Sequence, residues 1–113
     1  MLNIPLDNMK LKYAAIFCLS ILIAPIHIFN LDEKTYMGLC AFAKKVAEAL
    51  KSAIECKRVG VAVLGMEVPH THIHLVPLQS ESDMDFRKTK LELSPAEFAE
   101  IASAIYEEYV KIQ

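Results

Sequence analysis

Apolar residues change their spacing several times along this chain, and each change predicts a different element. From Tyr13 to Ala24 they run almost without interruption, behind Lys10 and Lys12. A helix of that length reaches only about 18 Å, short of the roughly 30 Å hydrocarbon core of a bilayer, so no membrane span is expected there. The β-branched Ile16, Ile21 and Ile23 favour a buried strand over a core helix, and Pro25 ends the element. A secretory leader would also suit a basic flank before an apolar run, but Leu22-Ile23-Ala24 is a poor cleavage site.

From Asp32 the spacing becomes helical, with Tyr36, Leu39, Cys40, Ala43, Val46, Ala47, Leu50 and Ile54 on one stripe and Asp32 placed to cap the start. Cys40 falls on that stripe, which predicts a small buried side chain. On the other face Lys44, Glu48 and Lys51 stand at neighbour spacing and predict a solvated, charge-paired surface. Lys57 to Val63 then changes to a period of two, predicting a strand with Val59, Val61 and Val63 on one face. A second strand carries His70 to about Leu78, and an antiparallel pair would put the turn from Gly65 to Pro69 beside its histidines. Gln79 to Lys90 keeps no period and reads as a mobile connection without evident function. Ser94-Pro95-Ala96-Glu97 has the residues of a capping box and opens a last helix. That helix carries Phe98, Ile101, Ala102, Ile105 and Tyr109 on the face expected to pack on the sheet or on a partner.

These elements predict one α+β domain over residues 1–113, with an antiparallel sheet, a long helix and a C-terminal helix. A chain of 113 residues can bury roughly two thirds of its unfolded surface without disulfide staples. Its 54% hydrophobic content excludes a disordered or low-complexity scaffold. A formal charge of −2 leaves no basic footprint, so long nucleic acid is not an expected partner. The odd cysteine set, Cys18, Cys40 and Cys56, contains no C-x-x-C pair and fits a reducing compartment, which points to the cytoplasm. A chain this apolar, with an N-terminal segment that needs covering, is also expected to form a homodimer.

The candidate chemistry lies in His70-Thr71-His72-Ile73-His74-Leu75-Val76. In a strand, alternate side chains share a face, so all three imidazoles line one side at roughly 7 Å intervals while Ile73 and Leu75 anchor the other. Phosphoryl or nucleotidyl transfer suits this row: a neutral imidazole is nucleophilic at pH near 7, and its neighbours can bind or protonate phosphate oxygens. A metal site is a second reading, since H-x-H on a strand can present two nitrogens, as His70 and His72 would. Three evenly spaced histidines, however, span about 13 Å, too far for one ion with metal to nitrogen bonds near 2 Å unless the strand bends. Solvated or simply hydrogen-bonded histidines are a third reading, in a chain with 4 His, the remaining one being His27.

With Pro77 following, this run resembles the His-φ-His-φ-His-φ-φ signature of the histidine triad (HIT) nucleotide hydrolases and transferases, with Thr71 as an irregular φ position and Gly65 resembling the family's glycine turn. The resemblance extends from about Phe29 onward, and residues 1–28 look like a divergent apolar segment where members carry further strands. It implies a HIT-like antiparallel sheet, usually in a homodimer, and cleavage at the α-phosphate of a nucleoside phosphate such as an AMP or GMP derivative, with no metal or other cofactor. It also implies that His72 forms a nucleotidyl-histidine, while His70 and His74 orient it, bind phosphate oxygens and help the leaving group depart. Met66 and Glu67 stand where members often carry Gln and a small hydroxyl residue; a thioether cannot donate the amide hydrogen bonds that Gln gives phosphate. The alternatives are a catalytically impaired nucleotide-binding or dimerisation module and a metal-binding H-x-H protein.

Overall fold

The computed structural model describes residues 17–21, 27–63, 71–85 and 93–112. In chain order they form β1 (Phe17–Ile21), a 3-10 turn (Ile28–Asn30), α1 (Glu33–Ala53), β2 (Arg58–Ala62), β3 (Thr71–Leu78), a second 3-10 turn (Glu81–Met84) and α2 (Pro95–Ile112). The described sheet has the order β1-β3-β2 with both pairs antiparallel, so the architecture is α+β and the histidine strand lies in the middle. β1 falls within the continuous apolar run, where β-branched residues favoured a strand.

Local chemistry accounts for each helix. The Asp32 carboxylate accepts the Thr35 N–H at 3.3 Å and caps α1, and hydrogen bonding from Thr35, its side chain first and its N–H second, holds the carboxyl below its ordinary value. Along the helix Leu39, Ala43, Leu50 and Ala53 are buried, and Ile54 joins the same core just past its end. Lys44 pairs with Glu48 on the solvated face. Cys40 is exposed, contrary to its place on the predicted stripe. At about 100° per residue it sits roughly 80° from the stripe's centre, beyond what the sheet covers. α2 begins with the expected capping box: the Ser94 N–H donates to Glu97 Oε1 at 3.0 Å, and the Glu97 N–H donates to Ser94 Oγ at 3.1 Å.

The core lies between the helices and one face of the sheet, where Leu39, Leu50, Ile54 and Ile101 meet Ile73 and Leu75. α2 packs mainly on α1, and Ile101 is its buried residue, whereas Phe98 and Ala102 are exposed. Phe42 of α1 meets Tyr109 of α2 edge-on, with ring centroids 6.0 Å apart. The face predicted for β2 is only partly covered: Val59 packs on the core, while Val61 and Val63 are exposed towards the other end of the strand. Residues 79–85, expected to be mobile, are instead pinned. The buried Asp83 carboxylate accepts the backbone N–H groups of Gln79 at 2.9 Å and Ser80 at 3.0 Å, and Ser80 and Asp83 close a capping box. Among the described residues no helix is long and apolar enough to cross a membrane.

Candidate functional site

β3 is held from three sides, which is why its side chains can be aimed. β1 pairs along it from Ile21–Thr71 to Phe17–Leu75, and β2 pairs along it from Ala62–His74 to Arg58–Leu78. The helices close the third side, where Ile73 and Leu75 are 3% and 0% exposed. The expected anchoring of alternate residues is therefore present. At its far end the strand is tied down again, because the Lys57 N–H donates to the Leu78 carbonyl at 2.9 Å and Gln79 Nε2 donates to the Glu55 carbonyl at 2.8 Å.

On the opposite face His72 is 4% exposed and His74 is half-buried. Backbone spacing alone separates same-face positions by roughly 7 Å. Here the rings turn towards each other instead: their centroids are 4.7 Å apart, their planes cross at 86°, and Nε2 of one lies 3.1 Å from Nε2 of the other. A neutral imidazole carries one N–H, so a contact of this kind needs one Nε2 as donor and the other as acceptor. Within the contact the proton of one ring and the lone pair of the other engage each other, and they become available to a substrate when the contact opens. Such a lone pair and proton are what nucleophilic attack followed by protonation of a leaving group requires. Ala62, small and half-buried, sits opposite His74 in the register, and Gly60 sits opposite Val76.

Of the predicted site residues, the structure brings His72 and His74 together. His70, Gly65, Met66 and Glu67 lie outside the described residues. His27 is exposed, just ahead of the first 3-10 turn. Cys56 is half-buried, and that burial raises its thiol above the ordinary value against the lowering influence of Lys51. Among the described residues no three His, Cys, Asp or Glu side chains gather as a metal site. Asp83 is the buried polar residue that sequence reasoning passed over. The signal for it was present, since Ser80 and Asp83 have the spacing of a capping box.

The chain matches the family model of the HIT domain over residues 19–81, from inside β1 to the start of the turn after β3. Its fold is similar to a histidine triad (HIT) protein from Sinorhizobium meliloti, with a TM-score of 0.71 and 24% identity over 86% of this chain and 76% of that one. It is similar also to a histidine triad protein from Bradyrhizobium japonicum, with a TM-score of 0.75 and 22% identity over 88% of this chain and 79% of that one. A histidine triad protein from Marinobacter aquaeolei gives a TM-score of 0.72 at 15% identity, over 89% and 78% of the two chains.

Proposed function

Because the chain belongs to the HIT-domain family, we propose that it is a nucleotide phosphohydrolase or nucleotidyl transferase acting at the α-phosphate of a nucleoside phosphate derivative. The observation that carries this reading is the meeting of His72 and His74 at 3.1 Å between Nε2 atoms on the anchored strand. His72 is the nucleophile: its Nε2 lone pair forms a bond to the α-phosphorus as the bond from phosphorus to the leaving group breaks. His74 and His70 bind phosphate oxygens, and an imidazolium of the set passes its proton to the departing group. Water, or an acceptor hydroxyl in a transferase, then attacks the nucleotidyl-histidine, loses its proton to an imidazole and restores the free enzyme. The substrate class is an AMP or GMP derivative, and the step needs no metal.

The test is turnover of an adenosine phosphoramidate by the full chain and by His72→Ala. Loss of product in the variant, with the fold retained by circular dichroism, supports the mechanism. Equal turnover in both removes it. A homodimer in the cytoplasm belongs to the same proposal, supported by free Cys40 and Cys56 thiols and by Phe42, Phe98, Tyr106 and Val110, exposed on the two helices. A monomer in sedimentation at micromolar concentration would reject that part.

A further inference from the structure

The sheet face that carries the histidine pair is closed at one end and open beside His74. Alternation puts His72, His74 and Val76 of β3 on this face together with Gly60 and Ala62 of β2, because directly opposed residues of an antiparallel pair share a face. Val76 is 0% exposed, and Met84 of the second 3-10 turn lies over Gly60, its register partner, so that end is covered. His72 is buried as well. Between Val76 and His72, His74 and its register partner Ala62 are both half-buried, and the Cβ atoms of such an opposed pair stand about 4.5–5.5 Å apart. Among the described residues, the imidazole pair thus meets solvent at His74, with the Ala62 methyl beside it and the Met84 thioether as the next wall along β2.

We propose that Ala62 and Met84 form the wall along which the leaving group of the substrate lies, and that they select an uncharged, apolar leaving group over a polyphosphate. This rests on the proposed function, whose reacting imidazoles they flank. With His74 as the imidazole that protonates the departing atom, the leaving group lies on the His74 side of phosphorus and continues along β2. There it meets a methyl group and a thioether, neither of which offers an N–H or a cation to phosphate oxygens. Arg58, the cation at the start of β2, stands four residues from Ala62, about 13 Å by strand rise, beyond the contact between Gly60 and Met84. Holding phosphate charge against carbon without such a partner is costly, whereas an aryl or alkyl group gains from the same contact. The small size of Ala62 sets the room available, since a longer side chain at this position stands against the His74 ring.

The experiment compares kcat/KM for three substrates that share the AMP part: adenosine phosphoramidate, the para-nitrophenyl ester of AMP, and ATP cleaved at its α-phosphorus. Each is measured with the full chain and with Ala62→Leu and Ala62→Lys, and circular dichroism on each protein checks the fold. Ala62→Leu should lower use of the aryl ester relative to the phosphoramidate by about tenfold or more, because the added side chain takes the space of the ring. Ala62→Lys should raise use of ATP relative to the aryl ester by about tenfold or more, because it supplies the cation that this wall lacks. Ratios that stay as in the parent, or a loss equal for all three substrates, overturn the inference and leave the proposed function standing. A parent that turns over none of the three defeats the functional reading, and this inference with it.

Discussion

Leu75, fully buried among the helices' side chains, leaves β3 on the opposite side from its neighbour His74. The packing of one therefore fixes the direction of the other, because successive strand residues cannot rotate independently.

Truncating Leu75 tests that link. Leu75→Ala should cost about 2–5 kcal/mol, since a buried leucine leaves both lost transfer energy and an unfilled cavity. Urea denaturation reads the stability, and the imidazole proton signals of His72 and His74 should shift with it as the strand relaxes. Stability within about 0.5 kcal/mol of the parent, a value typical of surface changes, would show that the sheet is not anchored through this residue.

A close approach at Gly60 gives a second expectation. A Cβ built there would lie 2.6 Å from Met84 Sδ and 2.8 Å from Leu78 Cδ1, so β2, the end of β3 and the second 3-10 turn share a space that takes a further methyl group only when those side chains shift. Gly60→Ala should therefore destabilise by about 1–3 kcal/mol through overpacking. Adding Met84→Ala should return part of that loss, because the thioether is the nearer and more flexible obstacle. A double variant no more stable than Gly60→Ala alone would place the strain elsewhere.

Much of this arrangement was legible in the sequence, and the part that was not has a common cause. Asp32, Ser94 and Glu97 announced the helix starts, because capping is a local hydrogen-bond problem solved by residues three apart. The end of β3 at Leu78 and the inward turn of Ile73 and Leu75 followed from strict alternation. Cys40, Val61 and Val63 went the other way, because periodicity tells which face a residue shares and not how far the neighbouring layer extends over it. The leaning of His72 towards His74 is likewise a side-chain torsion, invisible to spacing.

Acid should separate the α1 cap from the rest of the fold. Hydrogen bonding from the Thr35 side chain, then from its N–H, holds Asp32 below its ordinary value of 3.8, so the folded protein favours the ionised carboxyl more than the unfolded chain does. Its contribution is then fully present above the unfolded value and is lost as pH falls through the lower, folded one. The parent should melt at a higher temperature than Asp32→Ala at neutral pH, with the two curves converging below pH 3.8. A difference in melting temperature that stays constant into acid would show that the charged form of Asp32 contributes nothing.

Asp83 should matter for stability more than its turn position suggests. Its buried carboxylate takes two backbone N–H groups, from Gln79 and Ser80, at the point where β3 ends. Asp83→Ala should cost about 1–3 kcal/mol by stranding those donors, and Asp83→Asn should cost less because its amide oxygen can still accept from them. Hydrogen exchange at Gln79 and Ser80 reads the same event locally. Unchanged protection of both amides in Asp83→Ala would show that the turn holds itself without this side chain.

Thiol reactivity offers a check on burial that needs no substitution. The thiolate is the species that reacts with iodoacetamide, so a thiol whose ionisation is suppressed reacts slowly. Burial raises Cys56 above its ordinary value, and the opposing influence of Lys51 is smaller, so Cys56 remains protonated at neutral pH. Cys40 is exposed on α1 and meets the reagent directly. Brief alkylation of the folded protein near pH 7.5, read by peptide mass, should mark Cys40 well before Cys56, and the two should become equal in urea. Equal rates in the folded protein would contradict the exposure of Cys40, and with it the outward turn that took this residue off the predicted stripe.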